Sequence, residues 1–288
     1  MKKSIFAVAL ILGATSTTLA QDKQYTPVSG DWALGIDATP FLNYMGNLIG
    51  GNDGNVAPTW TFLTTNQQIT GKYFASDDMA YRGSLRIGFS SASGSEMITE
   101  TGSAAPTYPA LGTEVEDTYK NGGMDIGLSG GLEWRKGSGR LVGFYGAELG
   151  VAFSSSSSTY TYGNAIVAAD NNVNAITSDH GSNMTNDSYG FDARVISDKS
   201  GMTTAFGLRG FIGAEYFILP KMSIGGEFGW GLGLMSMGAG SKEIESTDGT
   251  TVGTQITEVT GGSAFGFDTN INNTLFGSAG SLRLTFHF

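Results

Sequence analysis

The sequence predicts an all-β fold: an antiparallel, up-and-down transmembrane β-barrel of eight strands, with short turns at one end and long loops at the other. Three observations carry the prediction. Period-two alternation recurs along the chain, placing apolar side chains on one face and Gly, Ser or charged residues on the other. Every second connection is short and the rest are long, the asymmetry that spanning barrels show between their two ends. No apolar run approaches the roughly 20 residues that a spanning helix needs.

The N-terminus, with Lys2 and Lys3, an apolar run from Ile5 to Leu12 and small residues around Ala20, reads as an export signal over residues 1–20. The mature chain, a single barrel domain over 21–288, is expected to begin at Gln21. There is no Cys, which leaves no disulfide and no site for a lipid anchor at the cleavage region. With 44 Gly, 15% charged residues and a mean hydropathy of -0.05, the composition suits alternating strands with small inward residues. The net charge of -10 argues against nucleic acid, whose phosphates need cationic partners.

Strand one is expected over residues 31–45, with Trp32, Leu34, Ile36, Leu42 and Tyr44 alternating with polar neighbours and a bulge at Pro40. After a Gly/Asn-rich loop, strand two covers 59–74 and carries Trp60 near its start. The turn 75–78 leads to strand three, where Tyr81, Leu85, Ile87 and Phe89 oppose Arg82, Ser84 and Arg86. Residues 90–121 read as a long loop. Strand four sets Met124, Ile126, Leu128, Leu132 and Trp134 against Asp125, Glu133 and Arg135. A turn at 136–139 gives strand five, 140–153, with Tyr145, Leu149 and Val151 opposing Phe144 and Glu148. The longest irregular stretch is expected over 154–201. Strand six, 202–218, sets Phe206, Leu208, Ile212 and Tyr216 against Arg209, Phe211 and Glu215. A turn at 219–221 precedes strand seven, 222–235, which carries Glu227 and the glycines Gly225, Gly229, Gly231 and Gly233 on its polar face. Within the loop 238–276, Asp248-Gly249 is a two-residue hairpin signal. It is read as a hairpin standing off the barrel, the alternative being ten strands. In the last strand, Leu282, Leu284, Phe286 and Phe288 share one face, and Arg283 and His287 the other.

The terminal strand, closing on Phe288, resembles the C-terminal assembly signal of bacterial outer-membrane barrels, carried here by Leu282, Leu284, Phe286 and Phe288. The junction from Gly71 to Arg82 resembles the short turn of many small members of that class. Over residues 21–288 the architecture is similar to the families typified by the transmembrane domain of outer membrane protein A and by outer membrane proteins X and W. That resemblance implies a Gram-negative outer-membrane location, both termini periplasmic, and membrane lipid and the barrel assembly machinery as partners. It implies no cofactor. The chain departs from the A-type protein in having no peptidoglycan-binding domain after the last strand, so cell-wall anchoring is not expected.

On the inward face the alternation places Asp37, Asp125, Glu133, Glu148, Glu215 and Glu227 with Arg82, Arg86, Arg135, Arg209 and Arg283. Six acids and five arginines nearly cancel, as a narrow barrel requires of buried charges. A plugged, salt-bridged interior is expected. The outward aromatics Trp32, Tyr44, Trp60, Tyr81, Trp134, Tyr145 and Tyr216 are expected to form interfacial girdles.

His180, beside Asp179 in the longest loop, reads as a solvated loop histidine rather than part of a hydrolytic site. Asp170, Asp179, Asp187, Asp192 and Asp198 lack the spacing of a Ca²⁺ loop, so no metal is expected. The glycine wall is either room for facing Arg and Glu side chains or a polar passage. The expected function is therefore a non-enzymatic integral outer-membrane protein, presenting acidic surface loops or supporting an envelope complex through a surface ligand or partner of unspecified identity. A narrow porin-like channel for small solutes is the alternative, and a membrane-embedded enzyme the third reading.

Overall fold

The computed structural model describes residues 25–38, 44, 47–50, 68–137, 139–168, 183–268 and 280–288. Among the described residues thirteen strands form one antiparallel sheet. Eight of them close into a ring: β1 (Trp32–Asp37), β2 (Ile69–Ser76), β3 (Met79–Thr99), β4 (Glu114–Lys136), β5 (Leu141–Thr161), β8 (Thr203–Leu219), β9 (Met222–Met237) and β13 (Gly280–His287), which returns to β1. The other five are β6 (Met184–Asn186), β7 (Asp192–Lys199), β10 (Gly240–Thr247), β11 (Val252–Val259) and β12 (Gly262–Asp268). β10 links β7 to β11 beyond the ring, and β12 pairs with the far half of β9.

The ring is tied at the end where its short turns lie. Trp32 and Phe288 exchange both backbone hydrogen bonds there, at 2.8 and 2.9 Å, and at the other end of β1 Ala38 N–H donates to Leu282 O at 2.8 Å. Three two-to-four-residue turns join β2 to β3, β4 to β5 and β8 to β9. Pro220 presets the last of these and Lys221 completes it with a φ of 66°, a left-handed conformation that a side chain with a Cβ adopts at some cost.

Alternation decides which way each strand faces, because one step along a strand reverses the side-chain direction. On β3, Ala80, Arg82, Ser84 and Arg86 are buried, while Tyr81, Leu85, Ile87 and Phe89 are exposed. On β8, Arg209, Phe211, Glu215 and Phe217 are buried and Phe206, Leu208, Ile212 and Tyr216 are exposed. A water-soluble domain has the opposite polarity. Around the ring the outer surface is a band of Leu, Ile, Phe, Tyr and Trp.

Several expected boundaries are corrected. β1 ends at Asp37, and Tyr44 and residues 47–49 are helical rather than extended, so Tyr44 stands in no strand girdle. A proline three positions past Asp37 has no N–H to offer a ladder, which accords with an early end to the strand. Residues 90–121 are not a long loop: β3 and β4 pair without a register break from Met79↔Trp134 to Thr99↔Glu114. Parts of 154–201 and 238–276 are likewise strands, in β5, β6, β7, β10, β11 and β12. Backbone pairing continues there although Ser, Thr and Gly fill much of both faces of β3, β4 and β5, which leaves little apolar alternation to read; β7 and β10 add a small apolar contact of their own, Ala193 and Val195 against Ile244. The Asp248-Gly249 hairpin does stand outside the ring, but its loop has four residues, since Thr247 pairs with Val252. Asp248 accepts from the N–H groups of Thr250 and Thr251, both at 2.7 Å, and Gly249 takes a φ of 84°. Residues 1–20, Trp60, Asp170, Asp179 and His180 lie outside the described residues.

Candidate functional site

Inside the ring, one continuous network of ion pairs crosses from wall to wall. Glu133 on β4 is fully buried and takes Lys72 of β2 at 2.9 Å and Arg135 at 2.8 Å. Arg135 continues to Glu215 on β8 at 2.7 Å. Arg82 on β3 reaches across to Glu227 on β9 at 2.7 Å and to Glu148 on β5 at 3.3 Å. Arg209 bridges Glu148 and Glu227, at 2.8 and 2.7 Å. Arg283 of the last strand approaches Glu227 at 3.7 Å.

Of the eleven inward charges expected from the sequence, Arg82, Glu133, Arg135, Glu148, Arg209, Glu215, Glu227 and Arg283 are brought together in this network. Arg86 is buried on the same face, one alternation beyond Ser84. Asp37 and Asp125 are only half-buried; Asp37 lies opposite Arg283 across the β1–β13 ladder, and Asp125 enters no ion pair among the described residues. Lys72 was not foreseen. Its strand carries only a short alternation, Thr70-Lys72-Phe74 inward, which the weak pattern of the preceding residues obscured.

Aromatic rings fill the space between the charges. Phe74, Phe144, Phe211 and Phe217 point inward and are 0–5% exposed. Arg82 lies 4.0 Å over the Phe211 ring, Lys72 4.8 Å over Phe144 and Arg135 5.1 Å over Phe74, so the cations meet ring faces where they lack carboxylates. Glycine makes this possible. A Cβ at Gly146 would fall on the Phe211 ring, one at Gly213 on Phe144, and one at Gly229 on the Arg209 guanidinium. The glycine wall is thus room for side chains of the facing strands.

Near the short-turn end, His287 is 4% exposed between Phe74 and Phe217, with ring centroids 5.7 and 5.1 Å away. Its Nε2 meets Ser223 Oγ at 3.0 Å and Glu215 Oε1 at 3.3 Å, while Ser223 Oγ also donates to Glu215. Ser, His and Glu meet here, but serine and acid share one ring nitrogen. A nucleophile needs the acid on the other nitrogen, Nδ1, which has no hydrogen-bond partner. The hydroxyl is buried, so the cluster packs the mouth of the ring and presents no nucleophile to a substrate.

A second polar cluster holds the outer strands to the rim. Arg194 on β7 pairs with Glu245 on β10 at 2.7 Å, donates to Asn164 O at 2.9 Å and lies 4.1 Å over the Tyr162 ring. Tyr162 donates to Val195 O, and burial pushes its hydroxyl up to about 12. Asp187 shapes the β6–β7 turn, accepting from Tyr189 and Phe191 N–H at 2.9 Å and from Ser246 Oγ at 2.8 Å. Partial burial raises the Asp187 carboxyl, but these donors outweigh it and hold the group below its ordinary range. Among the described residues no group of three or more His, Cys, Asp or Glu is placed to hold a metal ion.

Against known proteins, no family model matches the chain and no curated protein matches it.

Proposed function

We propose that this chain is an integral outer-membrane β-barrel whose strand ring crosses the bilayer, non-enzymatic, with a closed interior, and whose working surface is the strand assembly held outside the membrane. The observation that carries this reading is the inverted polarity of the ring. Glu133, Arg82 and Glu215 are buried inside, while Leu149, Ile212 and Phe228 are 65%, 55% and 48% exposed outside. An uninterrupted apolar belt of this kind is too large for a surface meant for water. Lipid satisfies it, and a closed ring satisfies the backbone, since no strand edge then faces hydrocarbon.

The belt has edges at both ends. Trp32, Tyr73, Tyr81, Trp134 and Tyr145 cluster toward the short turns, as an interfacial girdle does. At the other end the outward pairs Phe89↔Met124 and Phe206↔Leu234 give way to Ser91↔Gly122 and Thr204↔Ser236. About 9–11 residues of tilted strand suffice to cross. β3 and β4, with 21 and 23 residues, run well past that point. Short turns then lie in the periplasm, together with both ends of the ring, and the extended strands outside the cell.

The test is refolding of residues 21–288 into phospholipid vesicles. A heat-modifiable, protease-protected core with cleavage confined to the outer strands supports the reading; a protein that stays in the aqueous phase sinks it. Planar-bilayer recording then separates the two non-enzymatic readings. Silence is the expected result, because Phe and ion pairs occupy the lumen at the level of Arg82 and Arg209. Discrete, reproducible openings would replace it with a small-solute channel.

A further inference from the structure

The outer face of the sheet changes character over a single step. Directly paired residues of antiparallel strands share a face, so the face carrying Phe89, Met124 and Phe153 continues upward without a register break. Its next row holds Ser91, Ser157 and Lys199, and the row above it Ser93, Lys120 and Thr159. Lys120 and Lys199 are exposed and enter no ion pair among the described residues. Across β3, β4, β5 and β7 neither row contains an acid, in a chain whose net charge is -10; the second row meets its first one, Glu243, on β10. Two cations and several hydroxyls on four strands without an acid in these two rows thus sit immediately above the apolar belt.

We infer that this face docks the phosphorylated sugar headgroup of an outer-leaflet glycolipid. Lys120 and Lys199 take phosphate as point charges, and the serine and threonine hydroxyls between them exchange hydrogen bonds with sugar hydroxyls. The inference rests on the membrane-spanning reading above. Its occupant follows from position: whatever covers the acyl chains against Phe89 and Phe153 must lie against these two rows. A zwitterionic headgroup would leave the two lysines without a net counter-charge, and a bare anion would leave the hydroxyl rows unused.

The experiment uses the refolded mature chain in phosphatidylcholine vesicles with and without lipopolysaccharide, reading co-extracted glycolipid and the unfolding midpoint. The wild type is expected to retain lipopolysaccharide and to melt higher in its presence. One lysine near an anionic surface contributes on the order of fivefold in affinity, so Lys120→Ser with Lys199→Ser should lose roughly thirtyfold. Lys120→Arg with Lys199→Arg should keep binding, and Lys136→Ser at the opposite end of the ring should leave it unchanged. Equal retention by wild type and the double serine variant, or no preference for lipopolysaccharide by the wild type, overturns the inference. Failure to insert into either vesicle overturns the membrane reading instead, so the two failures are distinguishable.

Discussion

Arg209 and Glu148 face each other directly across the β5–β8 ladder, Nη1 to Oε1 at 2.8 Å, and the same nitrogen lies 2.7 Å from Glu227 on the next strand. One guanidinium therefore bridges two buried carboxylates, which it shares with Arg82. Removing one partner of a buried pair leaves a bare charge behind, which typically costs about 3–5 kcal/mol. Arg209→Met is expected to destabilise by that order, and Arg209→Met combined with Glu148→Gln by less than the sum of the two single changes. Urea unfolding of the vesicle-inserted protein measures both; strict additivity would mean that the pair does not act as a pair.

Gly229 is occupied territory. A Cβ there would fall on the Arg209 guanidinium, whereas at Gly226, one of the outward positions, the nearest atom is a Leu282 methyl at 3.8 Å. Gly229→Ala should cost about 1–3 kcal/mol by displacing Arg209, the usual penalty of overpacking, and Gly226→Ala close to nothing. Equal midpoints for the two variants would show that the inward glycines leave spare room.

Much of this interior was legible in the sequence because the code is strict inside the belt. With one face apolar and the other carrying charges and glycine, each step of alternation assigns a side, and Arg82, Glu133, Glu148, Arg209, Glu215 and Glu227 could be placed from spacing alone. Beyond the belt both faces meet polar surroundings. Ser91 to Ser95 and Ser154 to Ser158 then carry no contrast, and strands there read as loops. Phe74 and Phe217 were hidden for a different reason: an inward Phe breaks the rule that apolar means outward, and only glycine positions on facing strands, Gly146 and Gly213 under Phe211 and Phe144, hint that rings lie inside. Tyr44 followed the alternation of its neighbours in sequence but not their structure.

Phe288 takes part in the ring through its backbone, while its side chain is 67% exposed. Phe288→Ser should leave the unfolding midpoint of the refolded protein nearly unchanged, yet lower the amount delivered to the outer membrane in cells. Normal delivery would remove the terminal aromatic from the assembly signal.

Asp187 gives the β6–β7 turn a dependence on pH. Its carboxyl is held below the ordinary range, so its contribution is fully present above the unfolded value of about 3.9 and is lost as pH falls through the folded value. Hydrogen exchange at the Tyr189 and Phe191 amides should accelerate, relative to the intrinsic rate, as pH falls below about 4. Asp187→Asn should show the faster exchange already at neutral pH and no such transition. An unchanged profile in the variant would assign the turn's stability to other groups.

The double hydrogen bond between Trp32 and Phe288 makes the ring's seam the meeting place of its first and last strands. On either side of that seam stand groups the interior depends on, for Arg283 and His287 arrive with the last strand to complete Glu227 and Glu215. The wall is therefore indifferent to where the polypeptide starts. A circular permutant with Phe288 linked to the β1 lead and new ends opened at Asp77 and Asp78 would carry the same ladders and the same ion pairs, written in a different order.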